Sequence, residues 1–119
     1  MTHHDLVHQF VLAEISDDYE EPEHITENVL ERARICGMLL EPQDVCKTLI
    51  DLTESGLAKA YSLSVHPPAE VRGAPPMDQL QDYYFLITPK GEKILLSKRD
   101  QWPLDEEDCL RPGWSPPAE

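Results

Sequence analysis

At Gly56 the spacing of apolar residues switches from the period of a helix to the period of a strand, and this switch constrains the chain more than any other feature. Before it, Val45, Leu49 and Leu52 step by four and three, with Cys46 and Ile50 widening the same stripe. After it, Leu57, Tyr61, Leu63 and Val65 fall on one face and Ala58, Ala60, Ser62 and Ser64 on the other. The pattern predicts a helix from Pro42 to Ser55 and a strand close behind it. Proline loses no useful amide at the first helical position, and Gly56 stands where a left-handed cap ends a helix without a steric penalty.

Two helices are expected upstream. Leu6, Val7, Phe10, Val11 and Ile15 recur at helical spacing between Thr2, a candidate N-cap, and Tyr19. The acidic stretch Asp17–Glu23, with Pro22 inside it, should end this helix and link it onward. Ile25, Val29, Ala33 and Cys36 then mark a second helix beginning near Glu23 or Thr26, with Gly37 as its C-terminal cap. Downstream, four prolines and Gly73 in residues 66–82 predict a long excursion without regular structure. Tyr83 to Ile87 read as a second strand. Thr88-Pro89 supplies the N-cap and first position of a last helix, with Ile94 and Leu95 facing inward. The expected order is three helices, two strands and a helix over residues 1–98, mainly α with a small β-hairpin. Residues 99–119 form an acidic, proline-rich tail, pinned to the domain by Trp102 or Trp114.

The chain has 119 residues and a formal net charge of −13. Residues 1–23 hold seven acids and no Lys or Arg, residues 24–98 are nearly balanced, and residues 99–119 hold six acids against Arg99 and Arg111. A duplex repels a uniformly acidic protein, but acidic flanks leave room for a local basic face. No apolar run approaches the roughly 20 residues of a membrane span, and the first residues lack a signal-peptide pattern. Three cysteines without CxxC spacing read as reduced thiols, so a cytoplasmic location is expected. Cys36 and Cys46 occupy apolar stripe positions and read as small buried hydrophobes in preference to redox sensors. No Ser-His-Asp, Cys-His or Gly-x-Ser-x-Gly arrangement and no glycine-rich phosphate loop occurs, so neither an enzyme nor a cofactor is expected. His4 and His8, at i and i+4, have chelating geometry, but no third ligand follows at a sensible spacing; a solvated helix face is the favoured reading, and no metal is expected.

The second and third helices are joined by a short glycine-containing turn, the mark of a helix-turn-helix. The stretch Leu49-x-x-Leu52-x-x-x-Gly56-Leu57, with Tyr84-Phe85-Leu86-Ile87-Thr88-Pro89-Lys90-Gly91 downstream, resembles the winged helix-turn-helix domains of bacterial regulators of the MarR and PadR type, over about residues 5–98. The last phrase departs from the family's Tyr-x-Leu-Thr-x-x-Gly by one extra residue, Ile87, and the Asp-x-Arg wing pattern of MarR-type proteins is missing. The resemblance implies that the third helix enters the major groove of double-stranded DNA, with Gln43, Lys47 and Thr48 as contacts beside Asp44, and that Arg72 at the wing tip approaches the minor groove. It also implies a homodimer, and the wide apolar stripe of the first helix offers Leu6, Phe10 and Val11 as its contact; the alternative is a helix clasped on both sides by its own domain and tail. The expected function is transcriptional regulation by DNA binding. The alternative is a winged helix that has left DNA and engages a basic protein partner through its acidic ends.

Overall fold

The computed structural model describes residues 2–64 and 67–117. Helix α1 spans His3–Glu14, α2 Pro22–Ile35, α3 Pro42–Glu54 and α4 Pro89–Ser97; strands β1 (Ala58–Ser62), β2 (Ala69–Glu70) and β3 (Tyr84–Ile87) complete the regular elements, with a short 3-10 helix over Met77–Asp82. Among the described residues the strands form one antiparallel sheet in the order β2-β1-β3. The chain is thus mainly helical with a small three-stranded sheet. The excursion expected to lack regular structure holds β2 and the 3-10 helix, while Val65 and His66 lie outside the described residues.

The helix boundaries follow local chemistry. The Thr2 hydroxyl accepts from the Asp5 amide at 3.0 Å and the Asp5 carboxylate accepts from the Thr2 amide at 3.2 Å, a capping box that fixes the start of α1. Gly37 and Gly56 adopt φ of +75° and +76° where α2 and α3 stop. Helix α1 ends earlier than its apolar spacing implied, because residues 15–21 serve the sheet. The Ile15 carbonyl accepts from the Ile87 amide at 3.0 Å, and Glu20 exchanges two backbone hydrogen bonds with Phe85 at 2.9 and 3.0 Å. Pro22, buried, then opens α2 instead of merely separating the helices.

The inward face of β1 is the reverse of what its larger side chains suggest. Ala58 and Ala60 are buried, while Leu57 and Tyr61 are half-buried and Leu63 is exposed. The register explains this: Ala58 lies opposite Ile87 and Ala60 opposite Phe85, so small residues of β1 leave the volume that large residues of β3 fill against the helices.

Helix α1 packs on α2, α3 and α4 at once. Leu6, Val7, Phe10, Val11, Leu12 and Ile15 are all buried, and with Ile25, Val29, Val45, Leu49, Leu52 and Phe85 they make the core. Each such side chain contributes roughly 1.5–3 kcal/mol by leaving water. The tail closes the remaining side. Leu104 is buried, and the Trp102 ring meets Phe10 edge-to-face at 5.4 Å. Leu6, Phe10 and Val11, expected at a dimer contact, are therefore fully enclosed by their own chain, and the clasped-helix alternative describes α1 correctly.

Candidate functional site

The sequence of Thr88-Pro89-Lys90-Gly91 positions α3 relative to the sheet. The Thr88 hydroxyl donates to the Gly56 carbonyl at 2.7 Å and accepts from the Gly91 amide at 3.1 Å, and the Thr88 amide donates to the Leu57 carbonyl at 3.1 Å. Lys90 reaches the Ser55 carbonyl at 3.3 Å. A Cβ at Gly91 would stand 2.2 Å from the Leu57 carbonyl oxygen, so only glycine lets α4 approach this closely. The knot ties the last turn of α3 to the first turn of α4, and α3 presents its outer face from a fixed base.

That face is sparse in positive charge. Gln43 and Lys47 are exposed, and so are Asp51 and Glu54. Asp44 is half-buried and accepts from the Glu41 amide at 2.8 Å, closing the helix start. Thr48 does not point outward: it is 6% exposed and its hydroxyl donates to the Asp44 carbonyl at 2.8 Å. A threonine that bonds back to its own helix is removed from the set available to a partner. Arg72 is exposed beyond β2, but the neighbouring cation is occupied: Lys59 is ion-paired with Glu70, and that bond raises the lysine pKa further. The excursion from 63 to 83 thus brings Arg72 to the surface, while Lys59, the lysine on the strands beside it, is already paired.

The turn between α2 and α3 exposes Leu39 to 91%, next to the half-buried Leu40. An open depression of about 350 Å³ lies behind them, lined by His4, Leu39, Asp44, Lys47 and Asp51 among others. The histidine pair that lacked a third partner in the sequence has one in space. His4, His8 and Asp51 hold ligand-capable atoms that all lie within 4.8 Å of one another. The His4 and His8 rings stand 4.1 Å apart, and His8 Nδ1 is 2.8 Å from the His4 carbonyl oxygen. Burial pushes the His8 pKa down, against the raising effect of that bond. Asp51 comes from α3, and no spacing rule applied within one helix could have found it.

The thiols are quiet. Cys36 is buried, and desolvation lifts its pKa to about 11; Cys46 is also pushed up by burial, while Cys109 is exposed. Both stripe cysteines behave as small hydrophobes. No helix among the described residues is long and apolar enough to cross a membrane. Comparison with known protein families, with curated proteins and with solved structures finds no match to this chain.

Proposed function

We propose that this chain is a winged-helix-type interaction module that docks a basic protein partner through α3 and its acidic ends. The observation that carries the reading is the charge on the open face of α3, where Lys47 stands against Asp51 and Glu54, with Asp44 at its margin. Non-specific DNA affinity comes mainly from phosphate neutralisation by Lys and Arg, and each phosphate contact removed lowers both affinity and its salt dependence. With Lys59 paired to Glu70, Lys47 and Arg72 are the cations that this face and excursion offer a backbone. The exposed carboxylates at Asp17, Asp18, Glu21 and Glu23 and at Asp105 to Asp108 favour a cationic surface instead. The exposed Leu39 gives such a partner an apolar anchor beside the charges.

A second reading, DNA binding in transcriptional regulation, is favoured by the order of elements: two helices joined by a short turn, then an antiparallel hairpin, with Gln43 and Lys47 open at the N-terminal end of α3. Fluorescence anisotropy separates the two. The interaction reading expects no binding to a labelled duplex at ~50 mM salt and saturable, salt-sensitive binding to a lysine-rich peptide. Duplex binding that strengthens as salt falls and weakens on Lys47→Ala would overturn it in favour of DNA.

A further inference from the structure

Three groups on two helices meet at the α1–α3 seam, and only Asp51 among them enters the interaction reading. His4 and His8 lie one turn apart on α1, and Asp51 reaches them from α3, with ligand atoms mutually within 4.8 Å. A tetrahedral ion with bonds of about 2.0–2.1 Å needs its ligands roughly 3.3 Å apart, so small rotamer adjustments of the exposed His4 and Asp51 toward the half-buried His8 close the set. We propose that His4, His8 and Asp51 form a binding site for one divalent d-block cation of the zinc type, with a fourth position left to water or an external ligand.

The donor chemistry selects the metal class. Two imidazoles and one carboxylate suit zinc, cobalt or nickel, whereas calcium and magnesium prefer all-oxygen cages. One ligand is already oriented. A bond from His8 Nδ1–H to the His4 carbonyl fixes the tautomer that leaves the Nε2 lone pair free, the arrangement metal-bound histidines commonly have. The depression beside His4 and Asp51, with Lys47 on its wall, supplies the open position. Because the ligands come from α1 and α3, the ion would cross-link the two helices. The site shares Asp51 with the α3 face on which the interaction reading rests, so an ion there would neutralise one carboxylate of that face.

The test is a titration of the full chain with Zn²⁺ by calorimetry and with Co²⁺ by absorption spectroscopy. The expected result is one ion per chain, with a Kd tighter than ~10 µM, and a cobalt spectrum without a thiolate charge-transfer band. His4→Ala and Asp51→Asn, both at exposed positions, should each weaken binding at least about tenfold while leaving the circular dichroism unchanged. His8→Gln is the third arm, with its fold checked in the same way. Absence of saturable binding, undiminished binding in both the His4 and Asp51 variants, or a thiolate band abolished by Cys109→Ser would each overturn the proposal.

Discussion

Along one edge of α1, Glu14 meets Arg32 of α2 at 2.9 Å and accepts from Asn28 at 3.0 Å, while the Arg32 guanidinium lies over the rings of Trp102 at 5.4 Å and Phe10 at 6.0 Å. Along the other edge, His4 and His8 meet Asp51 of α3, and His4 and Asp51 line an open depression. Both edges set polar side chains of α1 against a neighbouring helix. On the first, Glu14 and Arg32 pair, and the guanidinium lies over the rings of Phe10 and of Trp102 from the tail. On the second, the groups converge on one point and remain accessible to water. Polar residues that complete one another hold a fold together; polar residues that converge at an accessible surface are open to an external group.

The comparison makes quantitative demands, and the largest concerns the closed edge. Trp102→Ala removes the ring that covers Phe10 and Arg32 and should cost about 2–3 kcal/mol in urea denaturation; a loss below ~1 kcal/mol would mean that the tail does not brace α1. Next, Glu14→Ala strands a half-buried guanidinium and should cost about 1–2 kcal/mol. A double-mutant cycle with Arg32→Ala should return a coupling of about 1 kcal/mol, and additivity would remove the pair from the account. A smaller effect belongs to the capping box at the start of α1. Bonding to Thr2 holds the Asp5 carboxyl below its ordinary range. Its contribution is therefore present above the unfolded pKa and is lost as pH falls through the folded one. Asp5→Asn should cost under ~1 kcal/mol at neutral pH, since the group is near the surface, and the gap from the parent should close as pH falls through the folded-state pKa of Asp5. Smallest of all, His4→Ala and Asp51→Asn should change metal-free stability by less than ~0.5 kcal/mol. A large loss at either would show that the open edge is structural after all.

Much of the architecture was legible because it rests on short-range chemistry. The Thr2 cap, the glycines after α2 and α3 and the Thr88-Pro89 start of α4 each act within one turn of chain, so residue type and order were enough. What failed was long-range. Apolar spacing revealed that α1 must be covered around most of its circumference, but it could not say that α2, α3, α4 and Trp102 do the covering instead of a second copy. Larger residues marked one face of β1 as apolar, yet the register with Phe85 and Ile87 decided that the alanine face goes inward. The early end of α1 was equally hidden, because the competing bonds come from Phe85 and Ile87, far along the chain. At the candidate sites, Gln43, Lys47 and Arg72 are exposed as their positions implied. Thr48 was misassigned because a threonine within a helix can satisfy its hydroxyl on the preceding turn. Asp51 escaped notice because a ligand set shared between helices leaves no spacing to read.

The two margins of the sheet have one more consequence. A bare strand margin offers a row of unpaired amides and carbonyls on which another polypeptide can crystallise into fibres or exchange segments. Here one margin is only two residues long, with Pro68 just before it, and the other is interrupted by the bond pair that Glu20 makes with Phe85. Among the described residues, neither presents a long ladder to a passing chain. Recruitment by strand addition is disfavoured at these margins, and concentrated solutions should resist amyloid-like assembly.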